Sequence, residues 1–240
     1  NSGTNHYNAA IGGNDSGSGN AVGIIFDGGI VFAGTTPEDN CSAIGGGGND
    51  LGDITINGGN ITAVAQSSGA AIGGGIGNTA TGGKGNIIIT GGFVYAYNKG
   101  SYGSSETKNP FIPAAAIGGG SSCNVNGNTG DVTISGGFVY AESLGGAAIG
   151  GGSSTKGKGG DAVVRITGGT VVAKSVSGMA KSSYMAGSNW KDFPVDAGAG
   201  IGGGTAGALG SGSGGHAELI VSGGTVNTGS IGGGGVANNV

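Results

Sequence analysis

The sequence predicts an all-β chain wound as a single-stranded parallel β-helix, a solenoid of about 6–7 rungs. Three observations carry this. The sequence A-I-G-G-G, or a close variant, recurs with its isoleucine at Ile11, Ile44, Ile72, Ile117, Ile149, Ile201 and Ile231. Between successive copies stands a Gly-Gly pair set in alternating apolar residues, at Gly28, Gly58, Gly91, Gly136, Gly168 and Gly223 with the glycine that follows each. No stretch of useful length repeats apolar residues with the 3.6-residue period of a helix. Two motifs in strict alternation mean one unit stacked on itself.

Each repeat resolves into the same elements. The A-I-G-G-G segment gives a short strand whose glycine tail is explained by crowding, since stacked backbones leave no room for side chains. It is not a phosphate cradle, because neither a Lys-Ser/Thr pair nor a helical pattern follows. A polar Gly/Ser/Asn turn leads to an alternating run: D-I-T-I from Asp53, N-I-I-I from Asn86, D-V-T-I from Asp131, V-V-R-I from Val163 and E-L-I-V from Glu218. The Gly pair makes a tight corner, and a second alternating run follows, as in G-G-F-V-Y-A. Asp53, Asn86 and Asp131 recur just before a strand and are expected to cap neighbouring backbone N–H groups.

Composition narrows the class. Glycine supplies 64 of 240 residues, but not at every third position and with only four prolines, which excludes a collagen helix. The net charge is −4 and Arg165 is the sole arginine, so no basic stripe exists to neutralise nucleic acid. No apolar run is long enough to span a membrane as a helix. Cys41 and Cys123 occupy different points of the repeat on rungs two apart. With tiers about 4.8 Å apart, that places them beyond disulfide reach, so two thiols are expected. The repeat covers the chain, which reads as one domain over residues 1–240. It opens Asn1-Ser2-Gly3 with neither a signal peptide nor an initiator Met, as expected of a segment of a larger extracellular protein.

These motifs resemble the right-handed parallel β-helix of the pectate-lyase-like superfamily. More narrowly, they are similar to Gly-rich A-I-G-G-G repeats in secreted or wall-anchored bacterial proteins. The resemblance covers nearly the whole chain and is architectural. It implies a right-handed coil, glycans and an extracellular or cell-wall-anchored location, without choosing a chemistry.

Functional residues are sought where the repeat swells. The isoleucine spacings are 33, 28, 45, 32, 52 and 30 residues, and both long ones expand at the same point, after the G-G-x-V strand. The two loops, residues 97–115 and 174–199, should therefore leave one edge as walls of a trough about 10 Å wide, with Glu142 near its floor. They hold the only Trp, and candidate ligand contacts are Tyr97, Tyr102, Glu106, Phe111, Glu142, Tyr184, Asn189, Trp190, Lys191 and Asp192. Aromatic rings rimmed by carboxylates and amides suit an oligo- or polysaccharide.

The leading expectation is thus an extracellular carbohydrate-binding or adhesive module. An alternative is a glycoside hydrolase or polysaccharide lyase using Glu142, Asp192 or Asp196, although nothing in the spacing singles out the carboxyl pair a hydrolase needs. A structural stalk or spacer is the third. No cofactor is expected. Residues 45–53 follow a calcium-roll nonapeptide, with Asp50 and Asp53 as the ligands a Ca²⁺ ion would use, but Gly52 breaks the pattern and no tandem copy follows. The short last repeat suggests end-to-end or flanking-domain contacts.

Overall fold

The computed structural model describes residues 8–13, 21–37, 39, 41–48, 52–66, 68–77, 84–100, 113–122, 125–182, 191–195, 197–206 and 212–235, with 21–22, 178–182 and 191–195 as backbone. Among them there is no helix. The chain is a parallel β-solenoid built from three sheets, each sheet stacking the equivalent strand of successive repeats.

The first sheet contains the Ile-Gly pairs. Its order runs Ile11–Gly12, Ile44–Gly45, Ile72–Gly73, Ile117–Gly118, Ile149–Gly150, Ile201–Gly202 and Ile231–Gly232, all parallel and in register. The seven isoleucines thus form the column that their repetition predicts. The five from Ile44 to Ile201 are fully buried. Gly118 shows why glycine follows each. Its φ is +135°, and a Cβ there would lie 2.0 Å from the Gly150 carbonyl oxygen of the next tier. Only a residue without a side chain tolerates both constraints.

The second sheet stacks Ala21–Phe26, Gly52–Ile56, Gly85–Ile89, Gly130–Ile134, Ala162–Ile166 and Ala217–Val221. The third stacks Ile30–Gly34, Asn60–Ala65, Phe93–Asn98, Phe138–Leu144, Thr170–Val176 and Thr225–Thr228. Alternate residues of both fill the interior, as the period of two requires. Ile54, Ile87, Val132 and Val164 form one inward column, and Ile61, Val94, Val139 and Val171 another. The core is one narrow bar of β-branched side chains running the length of the coil.

Asp53, Asn86 and Asp131 do not precede their strands. Each is the second residue within one, and they pair in register across three tiers of the second sheet. One place where side chains do bond between tiers is the corner before the Gly pair. There Asn57 donates through Nδ2 to Asp27 (2.7 Å) and accepts from the Thr90 hydroxyl (2.9 Å).

A polar column, buried at Asn98 and Ser143 and part-buried at Ser175, closes three of the turns where the third sheet ends. Asn98, Ser143 and Ser175 lie in register. Asn98 Nδ2 donates to the Gly69 carbonyl at 2.8 Å, Ser143 Oγ to Ala114 at 2.9 Å and Ser175 Oγ to Gly146 at 2.7 Å. Every bond ties the strand end to the segment that entered the preceding Ile-Gly pair, one tier back, so each corner is pinned to the corner beneath it whatever length of chain leaves it.

Candidate ligand-binding face

Both long excursions depart from that fixed corner. One follows Phe93–Asn98 and returns at Ile117, and the other follows Thr170–Val176 and returns at Ile201. Their tiers flank the Phe138–Leu144 tier, one on each side, so the departure points are roughly 9.6 Å apart, two strand spacings. The second excursion has structure of its own. Gly178–Ser182 and Lys191–Val195 pair as an antiparallel hairpin, with Asp192 opposite Lys181 and Lys191 opposite Ser182. No periodicity in residues 178–195 announces it, because a lone hairpin need not share the alternation imposed by a buried face.

Of the expected contact residues, Tyr97 and Glu142 lie in strands rather than loops. Tyr97, Glu142 and Lys174 are successive members of one outward row. Tyr102, Glu106, Phe111, Tyr184, Asn189, Trp190 and Asp196 lie outside the described residues, and Lys191 and Asp192 are described as backbone only. Asp50 is likewise outside. Asp53 is exposed on the second sheet, and no group of three or more metal-ligating side chains occurs among the described residues. Cys123 is outside as well. The Cys41 thiol is buried and donates to the Asn8 carbonyl at 2.8 Å; burial, with Asp39 nearby, pushes its pKa up to about 12.

What the sequence reading passed over is the rest of the third sheet's outer face. In G-G-F-V-Y-A the Val and Ala occupy the inward positions, as Ile61 and Ala63 do in the preceding tier. Parity then forces Phe93, Tyr95, Phe138 and Tyr140 outward. That signal was available: the bulkiest side chains sit on the solvent parity of the strand. Phe93 is 65% exposed, Tyr95 41% and Phe138 38%, and two tiers away Ile30 is 71% and Phe32 78% exposed. Scattered apolar residues on a surface are ordinary, whereas a contiguous patch marks an interaction site.

The rings are arranged in tiers. Tyr95 and Tyr140 stack with centroids 5.2 Å apart and planes 9° from parallel, and Phe93 meets Phe138 at 6.0 Å. The Lys174 ammonium sits 5.2 Å from the Tyr140 centroid, on the side away from Tyr95 by tier order. Lys99 Nζ lies 5.9 Å from the Tyr97 centroid. The Tyr140 hydroxyl donates to Glu142 Oε2, and this bond, with lesser help from burial, pushes the Tyr140 pKa up to about 12.

Between the Phe32 tier and the Tyr95 tier lies the Asn60–Ala65 strand, whose outward residues Asn60 and Thr62 are small. The result is a groove of about 630 Å³ with Asn60 and Thr62 on its floor, Ile30 and Phe32 on one wall and Phe93 and Tyr95 on the other, continuing past them to Phe138 and Tyr140 of the following tier. No charged side chain lines it.

Compared with known proteins, the chain matches no family model, no curated sequence and no solved structure.

Proposed function

We propose that this chain is an extracellular glycan-binding or adhesive module that takes carbohydrate on the outer face of its third sheet. The observation that carries the reading is the exposed aromatic face: Phe32, Phe93, Tyr95, Phe138 and Tyr140 displayed on a rigid parallel sheet beside a groove with a polar floor. Sugar rings have apolar C–H faces and hydroxyl edges, so aromatic walls with hydroxyl and amide groups beneath them meet both requirements. Stability alone does not account for the arrangement. Cross-strand aromatic pairs contribute about 0.2–1 kcal/mol, which explains Phe93–Phe138 and Tyr95–Tyr140 but not Ile30 and Phe32 across the small tier. The corner from which the two excursions depart adjoins the same face, beside Tyr97 and Glu142. The likeness of the repeats to those of secreted and wall-anchored β-helical proteins supports an exterior location.

Hydrolysis would require a second carboxyl within roughly 9.5 Å of Glu142. Glu106 and Asp196 lie outside the described residues and Asp192 is described as backbone only; the exposed aromatic face favours binding as the reading we adopt, with a hydrolase or lyase using Glu142 with Asp192 or Asp196 as the alternative.

Affinity electrophoresis and calorimetry against a panel of plant, fungal and bacterial polysaccharides test the proposal. At least one should bind, and Tyr95→Ala should weaken binding roughly 2–12-fold, the range of one lost ring-stacking contact. Failure of every polysaccharide to bind, or affinity untouched by Tyr95→Ala and Phe138→Ala together, would overturn it.

A further inference from the structure

We infer that the groove over Thr62 is a one-ring clamp, in which a single neutral pyranose unit of the glycan enters the aromatic column between Tyr95 and Phe32, its ring across the solenoid axis. This rests on the glycan-binding reading and adds the place, the orientation and the class of sugar.

The column supplies its own measure. Tyr140 and Tyr95 follow one another along the axis in register, face to face at 5.2 Å, close to the interval that parallel strands impose. The next tier in register is Thr62, and the one after it Phe32. A ring above Thr62 would therefore meet Tyr95 at the same interval at which Tyr140 meets it from the other side. One tier admits one ring. Phe32 and Ile30 then close the far side, and Phe93 flanks Tyr95 as the rest of the near wall.

The floor and the charge select the class. The Thr62 hydroxyl and the Asn60 amide offer both donors and acceptors to ring hydroxyls. No ionised group lines the groove to pair with a uronate or sulfate, whose desolvation between apolar walls would go uncompensated. The charged residues of this face, Lys99, Glu142 and Lys174, lie two residues or more along the strands toward the excursion corner and on later tiers. The clamp thus takes a neutral unit, and an acidic unit, if the glycan has one, belongs at the corner.

The Tyr140–Glu142 hydrogen bond and the Lys174 contact hold Tyr140, and through it the plane of Tyr95. They are positioning residues for the clamp.

The decisive variant is Thr62→Phe, which fills the tier with a protein ring of a kind that neighbouring tiers already carry. Calorimetry on the full chain would compare cellohexaose, xylohexaose, mannohexaose and chitohexaose with hexagalacturonate, and p-nitrophenol as a planar aromatic control. At least one neutral hexasaccharide should bind. Thr62→Phe should weaken it tenfold or more with an unchanged circular dichroism spectrum, while the same change at Thr133, on the outer face of the second sheet, leaves it within about twofold. Neutral saccharide binding that survives Thr62→Phe overturns the clamp and leaves the broader reading standing, provided Tyr95→Ala still weakens it. Preference for hexagalacturonate that Thr62→Phe abolishes overturns the neutral assignment. Binding of p-nitrophenol alone, or of none of the probes when polysaccharides also fail, overturns both.

Discussion

Tyr140 brings together most of the chemistry of the outer face. It stacks on Tyr95, receives Lys174 against its ring and donates its hydroxyl to Glu142. The hydrogen bond to a carboxylate favours the neutral phenol, so ionisation is deferred from the ordinary 10 to about 12. The sign follows: the interaction is fully present below pH 10 and is lost as the pH rises toward 12. Ultraviolet difference titration should therefore show one tyrosine ionising near pH 12. Glu142→Ala should return that tyrosine toward the common value. An unchanged titration in the variant would mean that Glu142 does not hold the phenol.

At the scale of the strand, the two residues of each Ile-Gly pair fail in different ways when replaced. Ile117 is fully buried in a column of its own kind, and Ile117→Ala should cost about 2–5 kcal/mol by chemical denaturation. Gly118→Ala adds one methyl, yet that methyl meets the Gly150 backbone at 2.0 Å and a backbone angle that alanine rarely adopts. A loss of at least about 3 kcal/mol is expected, from strain and overpacking together. Gly229→Ala is the control: no atom lies within 4 Å of the added carbon, and the change should stay within about 0.5 kcal/mol.

These elements also show what was legible in the sequence. Repetition in register is a global property that local residues report faithfully, so the isoleucine column, the glycine tail and the Gly-Gly corner could all be read directly. The hairpin of residues 178–195 could not, because no buried partner imposes a pattern on it. The aromatic face was present in the letters G-G-F-V-Y-A. The parity that turns Phe93 and Tyr95 outward follows only once Val94 and Ala96 are known to face in, and the letters alone do not say which parity is buried.

At the scale of the whole molecule, the stack separates what holds the coil together from what is hung upon it. The tier between the two excursions turns the same corner with Leu144, Gly145 and Gly146 alone, and a Cβ on Gly198 would meet Gly146, which places Gly198 directly above it. Replacing residues 177–197 with one glycine should therefore reproduce the short connection. We expect that variant to keep its β circular dichroism spectrum and a melting temperature within a few degrees of the parent, since Ser175 still bonds to Gly146. Collapse of the fold on excision would mean that the hairpin is part of the trunk.

The contact between each Ile-Gly glycine and the carbonyl of the next tier has a last consequence. It works as a ratchet tooth: a turn of the coil either meshes with its neighbour or does not, with no intermediate setting. Extra residues cannot be absorbed by sliding, so they are expelled at the corner as a bulge. Ornaments of different length and chemistry can then be exchanged there while the shaft keeps its pitch.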